Sequence, residues 1–126
     1  MKFGYTILYV KDVEKAVAFY ESAFGLKRKF VHESGYGEMD TGETKLAFAS
    51  VDLARSNGVS FIDTNPDSPA PAVEVALVTE DVAVAFAGAV QAGAVPVAAP
   101  KQKPWGQTVG YVRDLNGFLV EICSPL

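Results

Sequence analysis

The sequence contains one cysteine, Cys123, and one histidine, His32, among 126 residues. A lone cysteine excludes a disulfide framework and a cysteine-based zinc cluster; a lone histidine excludes any site needing two imidazoles from one chain. Long hydrophobic runs are also missing. The longest, Val82 to Val90, is broken by Gly88 and falls far short of the roughly 18 residues that span a bilayer, so no membrane partner is expected. No apolar segment with a small-residue cleavage site follows Lys2, and the expected location is cytoplasmic. Nor is there a basic excess. Lys and Arg number 11 against 15 Asp and Glu, a net charge of −4, which argues against a nucleic-acid partner. The imbalance is local: residues 1–50 hold seven of each sign, whereas residues 51–126 hold four basic and eight acidic. A cationic small molecule suits such a surface better than an anionic polymer does. The length fits one compact domain that buries about two-thirds of its unfolded surface.

What the chain does have is an internal echo. The stretch Tyr5-Thr-Ile-Leu-Tyr-Val-Lys-Asp-Val13 returns 69 residues later as Glu74-Val-Ala-Leu-Val-Thr-Glu-Asp-Val82. A second echo spans 74 residues: Met39-Asp-Thr-Gly42 before Lys45–Ser50 matches Arg113-Asp-Leu-Asn116 before Leu119–Ser124. Each half reads as strand, helix, then three strands. Tyr5 to Val10 is β-branched and aromatic, which favours a strand. Asp12 and Asp81 are placed to cap helices. Val13, Ala16, Val17, Tyr20 and Phe24 fall on one helical face before the stop at Gly25, and Val82, Ala85, Phe86 and Ala89 do the same before Gly93. Strands are expected at Lys27–His32, Gly37–Asp40, Lys45–Ser50, Val95–Ala98, Thr108–Arg113 and Phe118–Cys123, with Pro96 confining its strand to a sheet edge. The expected organisation is a single domain with module one at 1–50, a linker at 51–72 and module two at 73–126. That linker holds Asn57-Gly58, Pro66, Pro69 and Pro71, and its length points to a functional role.

A duplicated βαβββ unit resembles the vicinal oxygen chelate superfamily of glyoxalases, extradiol dioxygenases and bleomycin-resistance proteins. The resemblance covers nearly the whole chain. It rests on Tyr5–Asp12, Phe19-Tyr20, Phe24-Gly25-Leu26, Pro104-Trp105-Gly106 and Asp114-Leu115-Asn116-Gly117. It implies an α+β fold, with two βαβββ modules forming curled mixed sheets around a cleft and helices outside. In the family's metalloenzymes four inward side chains hold a divalent metal. By position those places fall on Tyr5, Ala47, Glu74 and Glu121. Glu121 keeps a carboxylate, Tyr5 and Glu74 stand where His is usual, and Ala47 has no donor atom.

Strand alternation sets Leu119, Glu121 and Cys123 on one face and Val120 and Ile122 on the other. In this fold the first set faces the cleft, as do Tyr5, Ile7, Tyr9, Glu74, Ala76 and Val78. Glu74 and Glu121 then approach each other, and two such carboxylates need either a retained proton or a compensating cation: a metal, a ligand or Lys45. Trp105, in the loop Lys103-Pro-Trp-Gly-Gln107, suits a flat or cationic ligand, and a similar Pro-Trp-Gly element occurs in bleomycin-resistance proteins, which bind without chemistry. The expected ligand-binding set is Tyr5, Tyr9, Glu74, Trp105, Gln107, Tyr111 and Glu121, in a homodimer that sequesters an organic or cationic aromatic molecule with no cofactor. The alternative is a glyoxalase-like lyase or isomerase using a divalent metal on Glu74 and Glu121, with Glu121 catalytic. A third reading has a vestigial cleft and a protein acting through association. His32 is given no proton-transfer role, Cys123 is read as a buried thiol, and Lys27-Arg28-Lys29 as a solvated edge.

Overall fold

The computed structural model describes residues 1–126. The chain divides into two compact units, Met1–Asp63 and Thr64–Leu126, and each repeats one plan. In the first unit Tyr5–Val10 forms β1, and Asp12 then caps α1 (Val13–Phe24), its carboxylate accepting from the Lys15 amide at 3.0 Å. The helix buries Val13, Ala16, Val17 and Tyr20 of the expected stripe and leaves Phe24, at its end, half-buried; Gly25 ends it in the left-handed conformation. Strands β2 (Arg28–His32), β3 (Tyr36–Met39) and β4 (Lys45–Ser50) complete a mixed sheet of order β1-β4-β3-β2. A short helix α2 (Val51–Ser56) follows directly from β4, capped by the Ser50 hydroxyl.

The second unit opens with β5 (Glu74–Val78) and α3 (Val82–Gln91), which is capped by Asp81 through the Val84 amide at 3.0 Å. Strands β6 (Val95–Gln102), β7 (Thr108–Arg113) and β8 (Leu119–Cys123) give the order β5-β8-β7-β6. Strand β6 is an edge, as Pro96 requires, and it runs past Pro100 to Gln102, beyond the expected end at Ala98. The fold is α+β, with two open four-stranded mixed sheets and three helices.

Both sheets pack one face on their long helix; the opposite face, the open one, mixes exposed side chains such as Tyr5, Ile7 and Val78 with buried ones such as Glu38, Ala47 and Cys123. The first unit's helix side carries Leu8, Val10, Leu46 and Phe48, all buried. It also carries Gly37, where a Cβ would sit 3.0 and 3.1 Å from the Val17 and Val13 methyls. Gly110 is the counterpart on β7, where a Cβ would sit 3.0 Å from the Phe86 ring and 3.1 Å from the Pro100 ring. The two glycines let a helix lie close on the third strand of each unit. The open faces carry the chemistry.

The repeat extends to a defect in the ladder. In β2 the register slips between Arg28, opposite Met39, and Phe30, opposite Glu38, leaving Lys29 as the extra residue. In β6 it slips between Pro96, opposite Val112, and Ala98, opposite Tyr111, leaving Val97. A bulge re-aims the side chain it carries, so Lys29 and Val97 are equivalent re-aimed positions.

Candidate functional site

The open face of the second sheet brings together Glu74, Tyr111, Glu121 and Cys123. Tyr111 lies directly opposite Glu121 across β7 and β8, and its hydroxyl donates to Glu121 Oε2 at 2.8 Å. On the other side β8 runs parallel to β5 with Glu121 beside Ala76, so Glu74 is one same-face step away on the diagonal. Long side chains reach each other at that separation. Desolvation, the nearby Glu121 charge and a side-chain hydrogen bond with Glu121 together push the Glu74 carboxyl above the usual carboxylate range. The hydrogen bond to Glu121, burial and the two carboxylate charges push the Tyr111 phenol up to about 12. Burial and the same glutamate push the Cys123 thiol up to about 11. Cys123 is 2% exposed and its Sγ lies 3.8 Å from the Leu77 carbonyl oxygen, so it is an inert thiol rather than a nucleophile.

No ion pair reaches either carboxylate: the salt bridges are Arg28–Glu14, Arg28–Glu21, Lys29–Glu38, His32–Glu33 and Arg55–Asp63. The second unit's own arginine is engaged elsewhere. Arg113 donates to the carbonyls of Gly117, Pro66, Ser68 and Asn65, clamping the chain before β5 to the β7–β8 turn. The face is therefore a phenol and two carboxylates held close without a counter-charge.

Trp105 and Gln107 hold each other. The indole N–H donates to Gln107 Oε1 at 2.9 Å, and Gln107 Nε2 donates to the Ser124 carbonyl at 2.8 Å. The turn itself is closed by the Lys103 amide on the Gln107 carbonyl and the Gly106 amide on Lys103. Trp105 nevertheless remains 63% exposed: a fixed aromatic plane with an open face. Lys101, Gln102, Lys103, Pro104 and Gly106 line an open groove of about 590 Å³ at this hairpin.

The first unit holds Tyr5 and Tyr9. Tyr5 is exposed, whereas Tyr9 stacks on Phe61 at 4.8 Å, and the Arg55 guanidinium lies over the other ring of that pair, Phe61, at 4.6 Å. Lys45 Nζ donates to the Gly42 carbonyl. His32 is exposed beside Glu33. The cluster Lys27-Arg28-Lys29 is more than a solvated edge. Arg28 bridges Glu14 at 2.7 Å and Glu21 at 2.8 Å, tying β2 to α1.

Sequence reasoning missed Glu38. It is 6% exposed, accepts from the Tyr36 hydroxyl at 3.0 Å, and pairs with Lys29 Nζ at 3.5 Å. Glu38 lies opposite Ala47, so a carboxylate stands across from the alanine on the open face. The expected strand Gly37–Asp40 contained Glu38 but left out Tyr36, the same-face residue whose hydroxyl holds the carboxylate.

The sequence matches the Glyoxalase/Bleomycin resistance protein/Dioxygenase superfamily over residues 2–122. The chain belongs to that superfamily. Solved structures similar to this superfamily member include a glyoxalase-related enzyme from Fulvimarina pelagi, 21% identical over 98% of this chain and 88% of that one, with a TM-score of 0.82. TioX from Micromonospora sp. ML1 is 22% identical over the full length of both chains, with a TM-score of 0.74. A glyoxalase/bleomycin resistance protein/dioxygenase from Nocardioides is 21% identical over 100% of this chain and 84% of that one, with a TM-score of 0.79. At these identities the likeness speaks for the fold alone. No curated protein matches the sequence. No helix is long and apolar enough to cross a membrane.

Metals are common in this superfamily, and the donor set here does not fit one. Ala47 offers no ligand atom, no imidazole accompanies Glu74 or Glu121, and no three His, Cys, Asp or Glu side chains converge. A divalent transition metal prefers such nitrogen-containing sets of three or four protein ligands.

Proposed function

We propose that this superfamily member is a small-molecule-binding protein whose second unit takes the cationic group of an organic ligand between Glu74 and Glu121. The observation that carries the reading is the uncompensated pair: Glu121 held by Tyr111 at 2.8 Å, with Glu74 beside it protonating more readily than an ordinary carboxyl. Close like charges in a partly desolvated place are unfavourable, and a bound cation relieves both terms at once. Tyr111 fixes the direction of the Glu121 carboxylate, so the acceptors are pre-set before the ligand arrives. Trp105, held by Gln107, offers a rigid plane for a flat apolar body. The side chains of the face are two carboxylates, a phenol with a raised pKa and a buried thiol, a set better suited to holding a cation than to attacking a substrate. The reading includes a homodimer, for which the exposed apolar side chains of Val73 and Val78 on the second unit offer contact area.

Calorimetric titration with benzamidinium and its neutral isostere benzamide tests the proposal. Saturable binding of benzamidinium, weakened at least tenfold by Glu121→Gln and by Trp105→Ala, supports it. Equal affinity for the two compounds, or no effect of Glu121→Gln, overturns the role of the carboxylates.

A further inference from the structure

Each unit places a carboxylate and a phenol in hydrogen-bond contact on its open face, but their neighbours have opposite charge. In the first unit Tyr36 donates to Glu38 Oε2 at 3.0 Å, and Lys29 Nζ stands 3.5 Å from Oε1. In the second Tyr111 donates to Glu121 Oε2 at 2.8 Å, and the neighbour is another carboxylate, Glu74. The pair is rebuilt rather than copied. Glu38 and Tyr111 occupy the same register position, each one place beyond the bulge residue's partner step, while Ala47 and Glu121 occupy the position across from them. The bulge itself is copied, with Lys29 in the first unit and Val97, 55% exposed, in the second.

We infer that Lys29 is an internal stand-in for the ligand, and that the second unit's face takes a primary alkylammonium group with its aliphatic stem lying over Val97. This rests on the cationic-ligand reading above and narrows its chemical class. A lysine at the bulge brings four methylenes and an ammonium over the phenol–carboxylate pair and neutralises a buried charge. Where the bulge carries valine, 55% exposed, the side chain is too short to reach the pair and brings no charge, and the carboxylates are left without a cation. An ammonium has three donors on one centre, and the Glu74 and Glu121 carboxylates, which hydrogen-bond to each other, turn acceptors to it once the proton between them is released. The isopropyl group of Val97 offers the stem a contact that a polar residue would not. In the first unit Lys29 already fills the equivalent place, so that face takes no external amine.

The test is amide chemical-shift mapping with n-butylammonium, the side chain of lysine as a free molecule, against 1-butanol. In the wild-type protein we expect saturable shifts centred on Glu74, Val97, Tyr111 and Glu121, none near Tyr36 and Glu38, and no response to 1-butanol. Val97→Lys should lower affinity at the second unit at least tenfold, because a tethered ammonium now competes. Lys29→Met should add a second set of saturable shifts at Tyr36 and Glu38. Should Lys29→Met fail to fold with its buried carboxylate unpaired, Val97→Lys still decides the matter. Benzamidinium binding while n-butylammonium does not overturns this inference and leaves the broader reading standing; so does unchanged n-butylammonium affinity in Val97→Lys. If neither cation shifts the Glu74–Glu121 face, the broader reading fails as well.

Discussion

Arg113 is the side chain whose removal has the most calculable consequence. Its guanidinium donates four hydrogen bonds to main-chain carbonyls: Nε to Gly117 at 2.9 Å, Nη1 to Pro66 at 3.1 Å and to Ser68 at 2.6 Å, and Nη2 to Asn65 at 3.1 Å. It thereby fixes the chain ahead of β5 against the β7–β8 turn, one same-face step from Tyr111 on β7. A hydrogen bond from a charged donor contributes about 1.5–3 kcal/mol when sheltered. Three of these four are exposed to competing water, which reduces each to about 0.5–1 kcal/mol. With the part-buried bond to Gly117 they reach about 3–6 kcal/mol, and Arg113→Ala should cost about 3 kcal/mol, the low end, because water reaches the freed carbonyls. For a chain of this length each kcal/mol moves Tm by about 3–5 °C, so scanning calorimetry should register a fall of about 9–15 °C. Arg113→Lys, with one donor centre in place of a planar fork, should recover less than half.

Gly117 gives an independent handle on the same clamp. Its φ is +96°, and a Cβ there would lie 2.7 Å from Arg113 Nη2 and 2.8 Å from the Pro66 nitrogen. Gly117→Ala combines backbone strain of about 1–3 kcal/mol with displacement of the guanidinium. Because both substitutions break one structure, the double variant should lose at least 1 kcal/mol less than the summed single losses. A loss below about 0.5 kcal/mol for Arg113→Ala, or full additivity with Gly117→Ala, would refute the clamp.

Glu74→Gln should stabilise the protein at neutral pH by about 0.2–1 kcal/mol, the scale of a cross-strand like-charge pair. The Glu74 carboxyl is raised in the folded chain, so its contribution is fully present below the ordinary carboxyl range and is lost as pH rises through the raised value. Urea unfolding from acid to neutral pH should show that slope in the wild type and not in the variant; parallel curves would count against it. Tyr36 and Tyr111, each pushed up to about 12 from 10.0, stabilise the fold at pH below 10.0, and that stability is lost as pH rises toward 12. Ultraviolet titration should show Tyr36 and Tyr111 ionising late, and Tyr111→Phe should remove one late phenol; a variant with as many late phenols as the wild type would contradict this. Cys123, with its thiol near 11 and 2% exposed, should react with a disulfide reagent only after denaturant is added, and labelling of the native protein at the rate of a free thiol would contradict its placement.

Much of the fold was legible because periodicity, caps and the repeat agreed. The Val13–Tyr20 stripe, the Asp12 and Asp81 caps and the edge position of β6 each follow from residue chemistry that tertiary context did not override. Helix α2 was not: six residues make less than two turns, too few for a periodic signal. Strand β6 outran its expected end because the ladder with β7 slips again between Ala98 and Lys101, an irregularity that accommodates Pro100. At the site, alternation was enough to bring Glu74 toward Glu121, both on the same face of parallel neighbours. The Tyr111–Glu121 bond needed the antiparallel register, and the Lys29–Glu38 pair needed a bulge that no residue type announces. Lys27-Arg28-Lys29 is an exposed run at edge strand β2, as its composition suggested, but its ion-pair partners on α1 and β3 were not legible from the sequence.

The two faces of each sheet obey different constraints, and this explains why the fold is plain while the ligand is not. On the helix side, a Cβ at Gly37 or Gly110 would press within 3.0–3.2 Å of its neighbours, and the buried Val, Leu, Ile and Phe residues fill the remaining space. A substitution there costs packing directly. On the open side, Glu38 and Ala47 can trade places with Tyr111 and Glu121 without disturbing a helix contact, provided that charge is compensated. The first unit compensates within itself through Lys29. The second does not, and a face that keeps two neighbouring carboxylates without a cation is less stable than one that has been neutralised. The repeat makes the alternative concrete, because the lysine that would neutralise it has a ready position at Val97. The energetic gap left by valine at that position is what a ligand's cationic group can fill on binding.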